Sequence, residues 1–442
     1  MLKINEKYIV KFFFLLIVLS FFIGFFLDEN SAGAGGSNGD FKLIWNNLLL
    51  FKENGILSSI KSELYSDSRT PFLYIINYLF NPLLYDKLYF RLSVFSFSFL
   101  VPLIFFFILK KKFNYLQDYQ LLLLSSLLFL SPYFRTTAYW GLNENYSFFS
   151  ILLSYFFFYQ LFERNKNINL SKESLFVFLL CFFSSTIVYF DQKLFFIPLI
   201  IYLKIISSEK NLKFKLVSTT FYILFSLPLL YLINLWGSIL PPAATKTRLI
   251  GNYLNLNNIG YSSTIIAFYI FPLLFFKKDS ILLLLGKFIN NKNNLFLITI
   301  IVSYLMILFF FNNENIINNS LINSNSFKNI GGGFYYKFIL LVTKNLFLKN
   351  ILLYFGFLIS FLIIFIFLEN FFIDKSIIIL LLISSIFIYP IFQEYFDPLI
   401  LILIFTFFKT KLFITNKNLI LLTIYLGLFL LIANIYYLNI IH

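Results

Sequence analysis

The sequence predicts an all-α, polytopic membrane protein. Hydrophobic residues make up 60% of its 442 residues and charged residues 12%, whereas soluble domains are about 45–50% apolar and about 25% charged. Apolar segments recur along the whole chain, and short clusters of basic residues separate many of them. Because ~20 apolar residues cross a bilayer as a helix, we predict a single transmembrane domain over residues 1–442 with about 13 spans.

The predicted spans follow the apolar segments in chain order. They cover residues 8–27, 92–109, 119–134, 146–162, 174–190, 194–206, 214–236, 259–276, 295–311, 350–368, 376–391, 398–408 and 418–440. The segments 194–206 and 398–408 are short for a full crossing, so we expect them to be tilted, broken or re-entrant.

The distribution of basic residues predicts the orientation. Lysines precede the first span, and basic clusters recur in alternate loops after it, as at 110–112 and 409–417. Since such clusters mark the cytoplasmic side, we expect a cytoplasmic N-terminus in an integral protein of the bacterial inner membrane. We therefore attribute the net charge of +15 to the basic clusters that set the membrane topology. The expected partner is the lipid bilayer, and no nucleic-acid partner is predicted.

The scarcity of cysteine and histidine excludes several chemistries. The chain has one cysteine, Cys181, and one histidine, His442 at its last position. It therefore has no disulfide framework, no cysteine-rich metal site and no histidine to activate a nucleophile inside the fold.

Two predicted outer loops are long. The first, residues 28–91, has apolar residues at helical spacing over 41–64, which indicates one interfacial helix or two helices broken at Gly55. Pro71 then favours the start of another helix. The second, residues 312–349, is rich in Asn and Ser and contains three successive glycines. We predict that this second loop is flexible.

Acidic residues lie directly beside spans in four predicted outer loops. They are the pair Asp28 and Glu29, followed by a glycine-rich run, and then Glu144, Asp191, and Glu394 with Asp397. Any one of these can simply mark a helix end at the interface. Their repetition on one face makes Asp28 and Glu29 candidate catalytic residues, and Glu144 a candidate acceptor-binding or second-loop acid.

Basic residues on the same predicted face suit an anionic ligand. Arg69, Arg135 and Lys193 lie near these acids or near a span, and their side chains bind phosphate groups well. The alternative is that each side chain extends to the interface without a ligand. We predict these three residues as phosphate-binding and assign no metal ligand.

These features together resemble the GT-C superfamily of membrane glycosyltransferases. The resemblance rests on the Asp-Glu pair after the first span, the long loop with amphipathic helices, and Thr70-Pro71-Phe72-Leu73-Tyr74 before the next helix. The superfamily includes aminoarabinose transferases, protein mannosyltransferases and dolichol-linked glucosyltransferases. The resemblance implies a polyprenyl-phosphate-linked sugar donor, an extracytoplasmic glycan, lipid or protein acceptor, inversion at the anomeric carbon, and a role in the cell envelope.

The resemblance also implies residue roles. Asp28 would be the general base or would orient the acceptor, with Glu29 as its neighbour, and Glu144 would be the acid of the second loop. This chain has Asn143-Glu144-Asn145 there instead of Asp-x-Asp, so a divalent cation, Mg²⁺ or Mn²⁺, is left open as a cofactor. An O-antigen or polysaccharide polymerase, and a flippase or transporter of lipid-linked oligosaccharides, are the alternative functions.

Overall fold

The structure, a computed structural model, describes residues 6–32, 37–163, 170–241, 255–290, 292–311, 331–368, 371–388 and 391–441. Within these ranges the chain is helical and has no strand. A backbone inside a bilayer must satisfy its own hydrogen bonds, and a helix does so within one segment. The prediction of an all-α protein is confirmed.

Eleven α-helices are described in the first part of the chain. They are α1 (Glu6–Phe26), α2 (Ser37–Lys61), α3 (Phe72–Phe80), α4 (Lys87–Ser98), α5 (Leu100–Lys112), α6 (Asp118–Ser126), α7 (Pro132–Trp140), α8 (Glu144–Phe158), α9 (Leu170–Phe190), α10 (Phe196–Ser207) and α11 (Leu212–Trp236). The later helices are α12 (Asn257–Ile270), α13 (Ile281–Ile289), α14 (Lys292–Phe311), α15 (Gly333–Val342), α16 (Leu346–Leu368), α17 (Phe372–Ser384), α18 (Leu399–Phe405) and α19 (Asn416–Ile441).

The chain divides into two compact units, a division that the sequence analysis does not indicate. The N-terminal unit comprises residues 11–251 and 429–442, and the C-terminal unit comprises residues 1–10 and 252–428. The residues proposed from sequence for catalysis and phosphate binding all belong to the N-terminal unit.

Among the described residues, seven helical segments are long and apolar enough to cross a membrane. They are Glu6–Phe26, Lys87–Lys112, Lys172–Phe190, Leu212–Trp236, Asn257–Phe276, Phe347–Leu368 and Asn416–Leu438. An eighth crossing would join Asp118–Leu130 to Pro132–Trp140, which meet at 71°. These segments support an integral membrane protein, but the predicted count of about 13 is not confirmed.

The number of long apolar helices is smaller than the predicted number of spans for a geometric reason. Several predicted spans are helices in the structure, yet α10 has 12 residues and α18 has seven. At ~1.5 Å per residue, such helices are shorter than the ~30 Å hydrocarbon core. The hydropathy of a segment therefore locates a helix but does not fix its length.

The segment 37–91 contains α2, α3 and the start of α4. Gly55 interrupts α2 with φ 72°, a backbone conformation that glycine adopts without steric cost. The helix buries Phe41, Ile44 and Leu48 on one face. Pro71 immediately precedes α3. The interfacial and extracytoplasmic position of this segment stays a prediction.

Residues 312–330 of the second predicted loop lie outside the described residues. The remainder of that loop is not a flexible segment but contains α15 and the start of α16. Tyr336 and Ile339 of α15 are buried against Leu353 and Phe357 of α16. The Asn- and Ser-rich composition of the whole loop concealed this short apolar helix.

Candidate functional site

Local sequence signals fix α7, the helix around which the candidate site is built. The Ser131 hydroxyl accepts a hydrogen bond from the amide of Phe134 (2.9 Å), and Pro132 occupies the first helical turn. Gly141 ends the helix with φ 68°. The turn 141–143 then leads directly into α8, which begins at Glu144.

Glu29 and Arg135 form a buried ion pair between the end of α1 and α7. Arg135 is 2% exposed and donates from Nε and Nη2 to the Glu29 carboxylate at 2.8 and 2.6 Å. It also donates to the carbonyl oxygens of Ser20 (2.7 Å) and Phe129 (3.1 Å). A Cβ atom at Gly24 would collide with both charged groups, so glycine makes room for the pair. The Arg135 guanidinium is thus occupied by protein groups.

Asp28 forms a second, more exposed ion pair. Its side chain is 62% exposed and accepts a hydrogen bond from Arg91 Nη2. Arg91 also donates from Nε to the Tyr139 carbonyl oxygen (2.7 Å) and lies over the Trp140 ring at 4.2 Å. The carboxylate of Asp28 is therefore oriented by protein contacts while it remains open to solvent.

Arg91 is a site residue that the sequence analysis missed. It stands at the end of the segment 28–91, whose other end carries the candidate acids. A basic residue at the end of a loop that begins with an acid is a signal that could have indicated this pair. Arg91 lies 63 residues from Asp28 along the chain, so proximity to an acid in the sequence does not point to it.

Arg69 and Glu144 form a third pair, which lies in a largely buried polar cluster. The Glu144 side chain is 3% exposed and that of Arg69 is 24% exposed. Asp67 accepts hydrogen bonds from the Arg69 amide (3.0 Å) and the Tyr74 hydroxyl (2.5 Å). The Tyr65 hydroxyl donates to the Arg69 carbonyl oxygen (2.9 Å). The backbone and side chain of Arg69 are therefore both held in place.

The electrostatic surroundings of Arg69 favour its charge. Burial by itself lowers the pKa of the guanidinium, but neighbouring groups raise that pKa well above its usual range. In order of decreasing effect these neighbours are Glu144, Asp67, Tyr133 and Asp191. The cluster thus brings together the segments 67–69, 133–144 and around 191, which are remote in sequence.

Several buried polar atoms in the chain segments that contribute to this cluster have no hydrogen-bond partner among the described residues. They include Glu144 Oε2, both amide atoms of Asn143, Ser147 Oγ and Gln192 Nε2. Asn143 and Ser147 are one helical turn apart and Glu144 adjoins them, so all three occupy one side of the start of α8. Since each unsatisfied buried group costs about 1–3 kcal/mol, water or a polar ligand bound at these atoms would offset that cost.

Asp191 and Lys193 lie at the border of this cluster. The Lys193 ammonium is 3.5 Å from Asp191 Oδ2, and the lysine side chain is 26% exposed. Asp191 also accepts a hydrogen bond from the Lys193 amide at 3.1 Å, which fixes the turn after α9. Lys193 is therefore a partly accessible cation next to buried polar groups.

The structure groups the predicted residues into two sets around α7. Glu29 pairs with Arg135, whereas Arg69 interacts with Tyr133; two residues on a helix point ~200° apart, so the two sets lie on different sides of α7. Arg91 contacts Tyr139 and Trp140 at the C-terminal end of α7, and Glu144 starts α8 after the turn 141–143. The two sets are therefore linked through the end of α7 and the start of α8.

No metal donor set is apparent at this site. Within the part of the chain that the structure describes, no three Asp, Glu, His or Cys side chains come together as ligands. Mg²⁺ or Mn²⁺ is thus left without assigned ligands, and no catalytic step is assigned to a metal.

Comparison of the chain with protein-family models, with curated proteins and with solved structures gives no match.

Proposed function

We propose that this protein is a membrane glycosyltransferase that moves a sugar from a polyprenyl-phosphate donor to an extracytoplasmic acceptor. The single observation that carries the proposal is the buried polar cluster at Arg69 and Glu144, where a charged guanidinium adjoins polar atoms that lack partners. Such a set suits a ligand that combines an anionic group with several hydroxyl groups. A glycosyl phosphate has this chemistry.

The amide and carboxylate atoms fit the sugar part of that ligand. A hydroxyl group both donates and accepts, and the amide of Asn143 offers two donors and an acceptor. Glu144 binds Arg69 through Oε1, which leaves Oε2 as an acceptor for a hydroxyl proton. Sugar hydroxyls at these atoms would relieve the cost of burying them unpaired.

Two partly exposed cationic groups of the cluster fit the phosphate part of the ligand. Arg69 and Lys193 are partly exposed and are near the unpartnered atoms. Their charges would stabilise the lipid phosphate as it leaves the anomeric carbon. Arg135, the third predicted phosphate ligand, is instead assigned a positioning role, because Glu29 and backbone carbonyls occupy its guanidinium.

The proposal separates the two adjacent acids by their environments. A general base must reach the acceptor hydroxyl within ~3 Å. The Asp28 side chain is 62% exposed and Arg91 orients it, whereas the Glu29 side chain is 11% exposed and held by Arg135. Asp28 therefore takes the proton of the acceptor hydroxyl as that oxygen attacks the anomeric carbon opposite the phosphate. Glu29 positions the segment that carries Asp28.

The proposal is tested by reconstituting the purified protein in liposomes with a panel of polyprenyl-phosphate-linked monosaccharides. Transferred sugar and released polyprenyl phosphate are measured by mass spectrometry for wild type, Asp28→Asn and Arg69→Gln. We expect turnover by wild type, donor binding without turnover by Asp28→Asn, and at least tenfold weaker donor binding by Arg69→Gln. Lys52→Gln, an exposed charge on α2, is the matched control for Arg69→Gln and should leave binding unchanged.

Other outcomes identify the alternative functions. Binding of pyrophosphate-linked oligosaccharides in place of the monosaccharide donors would support the polymerase and refute the proposal. Movement of intact lipid-linked oligosaccharide across the bilayer without bond cleavage would support the transporter. Equal activity of wild type and Asp28→Asn would remove Asp28 from the mechanism.

A further inference from the structure

A second polar surface belongs to the C-terminal unit, where residues 406–415 join α18 to α19 without forming a helix. Side chains alternate along the later part of this segment. Lys409, Lys411 and Phe413 are exposed, whereas Thr410 and Leu412 between them are buried. This alternation is that of an extended backbone with one face against the protein. The exposed face of 409–413 is called the lysine face below.

Hydrogen bonds hold the lysine face rigidly to the unit. The carboxylate of Asp374, which is 0% exposed, accepts from the amides of Lys409 (2.9 Å) and Thr410 (2.8 Å). It also accepts from the Thr410 hydroxyl at 2.7 Å. Further along, the amide of Phe413 donates to the carbonyl oxygen of Phe276 at 2.7 Å. The two lysines are thus presented from a fixed backbone.

More lysines converge on the same end of the unit. Lys278 Nζ lies 5.9 Å from the centre of the Phe413 ring, and Lys277 Nζ lies 4.8 Å from that of Phe367. Lys375 follows the anchoring Asp374 directly, and Lys417 opens the last helix. Three separate chain segments thus supply the lysine-rich end of the unit, which comprises Lys277, Lys278, Lys375, Lys409, Lys411 and Lys417.

The acids near this end do not balance these charges. Asp374 accepts from backbone amides, and Asp279 is paired with Lys287 at 2.6 Å. The other acid nearby in sequence is Glu369, which lies outside the described residues. Even when Glu369 is counted, the positive charge at this end exceeds the negative charge.

We propose that the lysine face binds the headgroup of an anionic phospholipid. Lys409 and Lys411 are two residues apart on an extended chain, about 7 Å, so both ammonium groups can reach one phosphate. Phe413 is 49% exposed beside them and Phe275 is 47% exposed; these rings suit the acyl chains next to a headgroup. A free phosphate ion would use the lysines but not the rings. This inference does not depend on the proposed glycosyl transfer.

The test is native mass spectrometry of the detergent-purified protein titrated with phosphatidylglycerol and, separately, with phosphatidylcholine. Wild type should retain phosphatidylglycerol preferentially. A lysine near a membrane surface contributes about 1 kcal/mol to binding of anionic lipid, which corresponds to roughly fivefold in affinity. Lys411→Gln should weaken phosphatidylglycerol binding about fivefold, and Lys409→Gln/Lys411→Gln about 25-fold.

Two controls make the test specific. Lys344→Gln removes an exposed lysine next to the N-terminal end of α16, whereas the lysine-rich end lies near its C-terminal residue Phe367. This variant should bind phosphatidylglycerol as wild type does. Phe413→Ala should weaken phosphatidylglycerol binding and leave any binding of inorganic phosphate unchanged. The melting temperature of each variant is measured to establish that it is folded.

Three results would overturn the inference. Equal binding of phosphatidylcholine and phosphatidylglycerol would show that charge does not determine binding. Equal losses in Lys344→Gln and Lys411→Gln would show that the effect is not local. Full displacement of phosphatidylglycerol by millimolar inorganic phosphate, with no effect of Phe413→Ala, would identify a free-anion site.

Discussion

Asp28 and Glu29 are adjacent in sequence, yet we expect conservative substitutions at the two positions to have opposite consequences. Glu29→Gln removes the negative charge that faces Arg135, a residue only 2% exposed. Breaking a buried ion pair by removing one partner costs about 3–5 kcal/mol, because the remaining charge is left uncompensated. The Asp28 side chain is 62% exposed, and an exposed pair is worth about 0–1 kcal/mol. Asn also tolerates the positive φ of 51° at position 28.

The assay is thermal unfolding of the two variants in detergent, followed by sugar transfer at a temperature where both are folded. At ~2 °C per kcal/mol for a unit of this size, Glu29→Gln should lower the melting temperature by about 6–10 °C, and Asp28→Asn by at most ~2 °C. Under the proposed function, Asp28→Asn should abolish transfer, whereas Glu29→Gln should retain most of it below its melting temperature.

The ion-pair interpretation has its own control. Replacing both members with apolar residues, Glu29→Met with Arg135→Met, removes the uncompensated charge and should recover at least part of the lost stability. The reasoning is refuted if both single variants melt within 2 °C of each other, or if the double variant is less stable than Glu29→Gln. In either case the pair would not be the contact that holds the end of α1 to α7.

Three further predictions test other parts of the structure. Under the proposed function, Glu53→Gln on α2 should leave sugar transfer near wild type in the liposome assay, because this acid is exposed and belongs to none of the ion pairs described above. A loss as large as that of Asp28→Asn would mean that the whole segment acts only as structure. Gly260→Ala should lower the melting temperature, since its Cβ would collide with a phenylalanine ring of α16. A Cβ at Gly286 meets open space, so Gly286→Ala should be neutral or stabilising by up to about 1 kcal/mol. Equal shifts in the two variants would argue against this helix contact. Asp374→Ala should cost more than about 3 kcal/mol in chemical denaturation, because the amides of Lys409 and Thr410 and the Thr410 hydroxyl all lose their buried acceptor. A change below about 1 kcal/mol would show that residues 406–415 are held by other contacts.

The sequence indicates an all-helical chain, and some local features follow from single residues because turn residues act locally. The break at Gly55 and the helix after Pro71 are examples, since a glycine with positive φ and a proline at a helix start are properties of one or two residues. The number of membrane crossings was not determined in this way. α10 has 12 residues and α18 has seven, so neither is long enough to cross the hydrocarbon core by itself.

The candidate site likewise has features that the sequence determined and features that only the tertiary structure decided. The sequence by itself determined which charged residues interrupt the apolar segments, and hence that Asp28, Arg69 and Glu144 were available. Only the tertiary structure decided their partners: Arg91 for Asp28, and Glu144 for Arg69. Each of these pairs joins segments more than 60 residues apart. No local pattern specifies such a contact, because it follows from the helix packing that brings α1, α4 and the turn before α8 together.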